Sequence, residues 1–434
     1  MSIRRNALLA AIGLTSALAL TISGCAGTGG TEAPASSGQG DIPSDTEGTV
    51  RILMESVPDT DIVVDLVDSF NEEYPGIAVE IETLGFDQMR DKLIASFQSS
   101  EPTYDLIVVD NPWMDDFVDA GFLQPLDDRI TTTTDYAAED FFQPLVDITE
   151  VDGVRYGVPF YNYALGYLYR TDLYEEAGLS VPSTLDELVA NSQALTTSER
   201  TGIAMQPQRG YKIFEEWANW LFAAGGSIYD ESGAPTLNTP EAQAALEAYI
   251  EAFTTAAPAN SSNWAFDEAF RSVSGDQSAA MISYNWNLPG LNDPEGASGD
   301  LAGSFALAPM PGGKQVLGSW SWAIPANSAA SDAAWAFAAW ITSTEVDVER
   351  VVAGGAAIRE STLTDPTVLE SGFGEDYYAA IIEILSDAAP LSQGLGGEEM
   401  IQAVGTELSE AVAGTKTVEQ ALADAQAAVE RIQR

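Results

Sequence analysis

The sequence predicts an α/β protein built on doubly wound sheets with flanking helices, and three observations predict it. Between Val50 and Leu126, short apolar runs alternate with segments of helical periodicity in the order strand, helix, strand, helix, strand. The run Leu106-Ile107-Val108-Val109, bounded by Asp105 and Asp110, is too short for a helix and apolar on both faces, as a strand inside a parallel sheet must be. At 434 residues the chain is long enough for two domains.

At the N-terminus, Arg4 and Arg5 precede a mostly apolar run from Ala7 to Ile22, closed by Ser23-Gly24-Cys25. That pattern reads as a signal peptide over residues 1–24, because the run is short for a spanning helix and small residues follow it directly. Leu20 to Cys25 resembles the lipobox of bacterial lipoproteins, in which cleavage after the glycine leaves the cysteine as the lipidated first residue. Cys25 is the only cysteine. It can form neither an intramolecular disulfide nor a thiolate metal site, so lipidation and attachment to the outer face of the bacterial cell membrane are its expected use. Residues 25–48 are rich in Gly, Ser, Thr, Pro, Ala and acid, and are expected to be a flexible tether.

Lys+Arg 18 against Asp+Glu 66 gives a formal charge of −48, and removal of Arg4 and Arg5 with the leader makes it −50. A nucleic-acid partner is not expected for such a chain. The absence of histidine excludes Ser-His-Asp and Cys-His catalysis and histidine metal ligation. No phosphate loop, dinucleotide fingerprint or calcium-loop spacing occurs, so neither cofactor nor metal is expected.

Val50 to Met54 reads as the first strand, with Glu55 to Asp59 as its tip and a helix from about Thr60 to Tyr74 stopped by Pro75-Gly76. Ile77 to Glu82 alternates apolar and acidic, as a strand with one accessible face does. A helix from Met89 to Phe97 leads to the Leu106 strand, whose tip is Asp110-Asn111-Pro112-Trp113. Ligands of open α/β sheets bind beyond the carboxyl ends of the strands. A carboxylate, an amide and a flat ring at one tip suit a polyhydroxy ligand, the polar groups for hydroxyls and the ring for a C–H face. Turn chemistry and core packing account for the same residues as well.

Asp152 to Gly157 reads as a hairpin-like turn, and Val158 to Arg170 as an extended, aromatic-rich crossover between domains, too long for one ordinary strand. Helices are expected over Thr171 to Ala177, Ser183 to Leu195 with a Ser183-Thr184 and Glu187 cap, Phe214 to Ala224, Pro240 to Phe253 and Phe266 to Ser272. Strands follow at Ala279 to Ser283, Phe305 to Ala308 and Trp320 to Ile324, then a helix from Ala329 to Ile341. From Tyr377 the chain reads as mostly helical, interrupted at Gly394 to Gly397.

Five blocks, in order along the chain, resemble the family 1 extracellular solute-binding proteins, the carbohydrate receptors of ABC importers, whose best-known member is maltose-binding protein. They are FVDAGFLQPLD after the Asp110 tip, DGVRYGVPFYNYALGYLYRTDLYEEAGLSVPSTLDEL, DQSAAMISYNW, LGSWSWAIPANSAASDAAWAFAAWITSTE and LSEAVAGTKTVEQALADAQAAVERI. The second is the most specific, and Tyr284-Asn285 in the third departs from the family's commoner Gly-Pro or Gly-Ser. The resemblance implies a two-lobed periplasmic-binding-protein-like fold, each lobe a doubly wound sheet with flanking helices, joined by hinge crossovers and closing on the ligand. By analogy the first lobe takes 48–160 and 305–345, and the second 161–304 and 346–434. It also implies a monomer without catalytic machinery that delivers a sugar or polyol to permease subunits.

Candidate ligand-binding residues on this reading are Ser56 and Asp59 at the first tip, Asp110, Asn111 and Trp113 at the third, and Tyr161 and Tyr163 at the crossover. Trp286 and Trp320 come from the family blocks, Trp217 from the helix before Gly225-Gly226, and Arg359 from the GGAAIREST segment. Trp217, Trp322, Trp335 and Trp340 lie in apolar runs and suit a core equally. Two other classes stay open: a surface glycosidase using paired carboxylates, which product analysis on oligosaccharides would reveal, and a structural or adhesive lipoprotein, which a fluorescence response to sugar would exclude.

Overall fold

Strand β1 (Gly48–Glu55) lies between β2 (Ile77–Leu84) and β3 (Leu106–Asp110), parallel to both. All five residues of β3 are buried, as an apolar run covered on both faces requires. β2 shows alternation, with Ile77, Val79 and Ile81 less exposed than Ala78 and Glu80. The computed structural model describes residues 40–433, apart from positions 100, 231 and 372. The expected signal peptide and Cys25 therefore lie outside the described residues.

The expected helix after β1 is two helices, Pro58–Asp65 and Val67–Glu73, beginning at Pro58 because proline suits the first helical turn, where no amide partner is needed. Leu66 separates them, its amide shared between the Ile62 and Val63 carbonyls. The turn at Asp152-Gly153 joins β4 (Glu150–Val151) to β5 (Val154–Arg155). Both turn residues have positive φ, 53° and 76°, as a tight two-residue hairpin demands.

The segment expected to be a crossover is a single 13-residue strand, β6 (Val158–Arg170). Its length has a purpose that the pairing reveals. Residues 158–164 pair with one set of strands and residues 165–170 with another, so β6 runs through both halves of the molecule. Those partners are β7 (Ala280–Tyr284), β8 (Phe305–Ala308) and β9 (Gln315–Ala323), all antiparallel to it. The register slips between Pro159 and Tyr161, where proline has no amide to give the ladder. β9 also pairs antiparallel with β3, placing Asp110 opposite Trp320, and parallel with β10 (Ala388–Pro390). The sheet order is β2-β1-β3-β9-β6-β7, with β8 and β10 branching from β6 and β9, so the expected two separate sheets are continuous through two long strands. β9 begins at Gln315, earlier than Trp320, because Gly318 and Ser319 remain in the ladder against Tyr163 and Asn162.

Two hydrophobic cores form. The first surrounds β1, β3 and β9 and includes Trp322, Trp335 and Phe337. The second is built largely by the helices Tyr211–Ala223, Pro240–Ala256, Gly397–Val412 and Val418–Ile432. Val346, Val351, Leu363, Ile381 and Leu385 join the first core, which also takes in Met281, Leu288 and Leu291 from the expected second lobe. One expected boundary is corrected. Residues 40–48 are not tether. Gly40 donates to Thr132 Oγ1 at 2.8 Å, its carbonyl accepts from Trp335 Nε1 at 3.0 Å, and Asp41 accepts from the Thr134 amide and hydroxyl, both at 2.7 Å. These contacts fix a segment whose composition alone reads as loose.

Candidate functional site

A cavity of about 590 Å³ opens where the carboxyl ends of β1 and β3 face the second half of the molecule. Glu55 and Asp110, the last residues of β1 and β3, form one wall together with Phe86, Arg90 and Trp113. Opposite are Tyr211, Lys212 and Glu215, in the first turns of the helix Tyr211–Ala223, with Tyr284 at the end of β7 and Trp286 just beyond it. Tyr163 and Trp320 reach it from β6 and β9 at the middle of the long strands.

The aromatic rings are interlocked. Tyr161 stacks behind Tyr163 with centroids 4.2 Å apart, and Tyr284 stacks parallel to Trp286 at 6.2 Å and 10°. Interlocked rings keep their faces in place without a ligand, which lowers the ordering cost of binding one. Among the described residues, several buried polar atoms in this lining have no hydrogen-bond partner: Trp113 Nε1, Trp286 Nε1, the Tyr163 hydroxyl and Glu398 Oε2. Such groups are costly to leave unmade, so a ligand that meets them gains.

The charges are arranged unevenly. Lys212 Nζ donates to Glu215 Oε2 at 2.8 Å and to the Tyr284 hydroxyl at 2.5 Å, and that hydroxyl donates to Glu215 at 2.9 Å. Burial alone would lower the lysine's proton affinity, but the Glu215 carboxylate beside it outweighs burial and holds it above the ordinary range. Glu55 accepts from the Tyr161 hydroxyl at 2.7 Å. Burial pushes the Glu55 carboxyl up, partly offset by that hydrogen bond and by Lys212. Burial, with the charges of Glu55 and Glu398, pushes Asp110 well above the usual carboxylate range. Among the described residues no group of His, Cys, Asp or Glu is arranged to hold a metal ion, and none of the helices is long and apolar enough to cross a membrane.

Of the sequence-predicted residues, Asp110, Trp113, Tyr163, Trp286 and Trp320 line the cavity. The others do not. Ser56 is exposed and outside the lining, and its amide donates to the Leu84 carbonyl. Asp59 is buried, binding Arg350 at 3.2 Å and the Ala356 amide at 2.9 Å. Asn111 is buried at the turn outside the lining, and Tyr161 lies one layer behind it, supporting Tyr163 and Glu55. Trp217 is wholly buried in the second core because its helix face packs inward. Arg359, fully buried, donates to the carbonyls of Thr342, Ala137 and Tyr136 and lies over the Phe141 ring at 4.1 Å, so it ties a loop down.

Sequence reading missed Glu55, Phe86, Tyr211, Lys212, Glu215 and Tyr284. Ile52, Leu53 and Met54 at the end of β1 are buried on both faces, so alternation could not tell Glu55 from Ser56 as the inward residue. A signal for the opposite wall does exist. Lys212 and Glu215 sit at i,i+3 spacing immediately after Gly210, whose φ of 96° turns the chain into the helix.

The sequence profile described as "Bacterial extracellular solute-binding protein" matches residues 51–348. A mannitol-binding protein of Pseudomonas aeruginosa is 26% identical over 423 residues, 90% of this chain and 94% of that protein. A probable amino-acid ABC transporter periplasmic-binding protein of Sinorhizobium fredii is 27% identical over 367 residues, 83% of this chain and 84% of the other. The crystal structure of an ABC transporter solute-binding protein from Agrobacterium vitis with bound D-mannitol aligns with a TM-score of 0.72 at 27% identity, over 88% of this chain and 97% of that one. With two cores bridged by long strands and a cavity between them, this chain has the two-lobed periplasmic-binding-protein fold and belongs to the bacterial extracellular solute-binding protein family.

Proposed function

We propose that this protein is the lipid-anchored, extracytoplasmic receptor of an ABC importer, which captures a sugar or polyol between its lobes and delivers it to the permease. The observation that carries this reading is the cavity lining: flat aromatic faces from Trp113, Trp320, Tyr163, Tyr284 and Trp286, interleaved with buried carboxylates and unpartnered donors. Aromatic faces cover the C–H side of a polyhydroxy ligand, while the carboxylates and donors meet its hydroxyls. At about 590 Å³ the cavity has the size of a small-molecule site. The mannitol named for the Pseudomonas relative and for the Agrobacterium complex supports the same class.

On this reading Asp110, Trp113, Tyr163, Trp286 and Trp320 contact ligand, joined by Glu55, Lys212 and Tyr284. The chain acts as a monomer without catalysis, held to the membrane through lipidated Cys25, with β6 and β9 as the hinge. Calorimetric titration of the purified protein against hexitols, pentitols, mono- and disaccharides and amino acids tests it. Binding to at least one sugar or polyol, with no product formed on prolonged incubation, is expected. Binding to amino acids alone would overturn the ligand class, and hydrolysis of an oligosaccharide would overturn the non-catalytic role.

A further inference from the structure

Each cation in the cavity lining is already matched with a carboxylate. Lys212 is paired with Glu215 at 2.8 Å. Arg90 reaches Asp116 at 3.3 Å and Glu399 at 3.8 Å, and Arg209, mostly exposed, points to Glu410 at 3.9 Å. Four lining carboxylates are left over: Asp91, which is exposed to solvent, and the more enclosed Glu55, Asp110 and Glu398. Among the described residues none of Glu55, Asp110 and Glu398 has a cation within 4.0 Å. Their hydrogen bonds do not replace one: among the described residues Glu55 accepts from Tyr161, Glu398 accepts from Gln402 at 3.1 Å while its Oε2 has no partner, and Asp110 is met by the Asn111 amide but by no side-chain donor.

Asp110 is 4% exposed, and what surface it keeps belongs to the cavity. A buried carboxylate without a counter-charge is costly and is relieved by a cation far better than by a neutral donor. The walls beside it are the rings of Trp113, Trp320, Phe86 and Tyr211, whose faces also attract cations. From this we infer that the solute carries a positive charge: an amino sugar or amino polyol, its ammonium held between Asp110 and Glu55 against the aromatic wall. Burial raises the proton affinity of both carboxyls, and at Asp110 the charges of Glu55 and Glu398 add to it.

The inference rests on the sugar or polyol reading above and narrows it. It is tested by titration with matched pairs that differ only in ammonium for hydroxyl: 1-amino-1-deoxy-D-glucitol against D-glucitol, and D-glucosamine against D-glucose. The aminated member of at least one pair should bind about tenfold tighter or more, an advantage that shrinks as salt is raised. Asp110→Asn and Glu55→Gln, which keep shape and remove charge, should bring the members of the pair to near parity. Thermal melting establishes that both variants are folded. Equal or tighter binding of the neutral members by the unaltered protein overturns the inference while leaving the sugar or polyol reading intact. An amine advantage that survives in both variants overturns the assignment to these carboxylates. If no member of either pair binds and the wider panel yields no sugar or polyol, both readings fall together.

Discussion

Trp113 and Trp320 meet edge to face, with ring centroids 5.2 Å apart and planes inclined at 77°. The contact follows from the sheet: β9 runs antiparallel to β3 with Trp320 opposite Asp110, and the turn Asn111–Trp113 folds the other ring back towards it. Phe86 completes the cluster at 5.6 and 6.1 Å. Trp113 is 1% exposed and Trp320 4%, yet both border the cavity. Each is therefore core and wall at once. Trp113→Ala and Trp320→Ala should lower stability by about 3–5 kcal/mol and weaken solute binding by about tenfold. Trp286→Ala, at a half-buried ring, should weaken binding with little change in melting temperature. Ligand-free melts and titrations on the three variants check this, and full affinity in Trp286→Ala would remove that ring from the site.

Arg359 makes the opposite kind of contribution. Its guanidinium holds three backbone carbonyls in a wholly buried place away from the cavity. Arg359→Leu should cost about 3–5 kcal/mol of stability, since it strands buried acceptors and the nearby Asp140. Affinity in the folded variant should be unchanged. Urea unfolding and titration separate the two effects, and a selective loss of affinity would bring Arg359 back to the cleft.

Glu216 predicts a pH dependence. Its Oε2 accepts from the Gln206 amide at 2.7 Å and the Tyr249 hydroxyl at 2.6 Å, while Oε1 has no partner, and burial pushes its carboxyl from the ordinary 4.5 up to about 7. The folded state thus binds the proton more tightly than the unfolded chain. Its contribution is fully present below pH 4.5 and is lost as pH rises towards 7, by about 3 kcal/mol in all. Glu216→Gln should flatten that part of the stability profile. Denaturant melts at several pH values would show it, and an unchanged slope in the variant would assign the dependence to other groups.

Closure of the lobes has a steric test at Gly397. A Cβ there would lie 2.6 Å from the Pro112 carbonyl oxygen and 2.8 Å from Ser392 Oγ. Nearby, the Gly396 amide donates to Asp116 Oδ1 at 2.9 Å, so this helix start is seated on the tip of the first lobe. Gly397→Ala should push the two apart and weaken solute binding by about tenfold, mainly through faster dissociation. Stopped-flow dissociation measures it, and an unaltered off-rate would mean that the bound state does not need this contact.

Cys25→Ser should leave melting and solute affinity unchanged and release the protein from the membrane fraction, because the residue precedes both hydrophobic cores. Fractionation of the producing cells with a carbonate wash decides it. Retention of the serine variant in the membrane would count against lipid anchoring.

By itself the sequence determined the order of the main strands and most of the longer helices, since local periodicity and stop signals act over a few residues. The apolar run at Leu106, the Asn111-Pro112 tip and the Thr184 and Glu187 cap all occur where they were expected. The alternation in β2 likewise sorted its inner from its outer side chains. Tertiary structure alone decided which polar residues face the cavity. Glu55 rather than Ser56 turns inward after a run buried on both faces, and Lys212, Glu215, Tyr284 and Glu398 come from elements far apart in the chain. It also decided that Arg359 and Trp217 are structural, because an arginine among carbonyls and a tryptophan among apolar side chains carry no local mark of their surroundings. Periodicity is a property of neighbouring residues along the chain. A cavity wall is a property of side chains brought together by the curl of one sheet through β6 and β9, and no short stretch of sequence contains it.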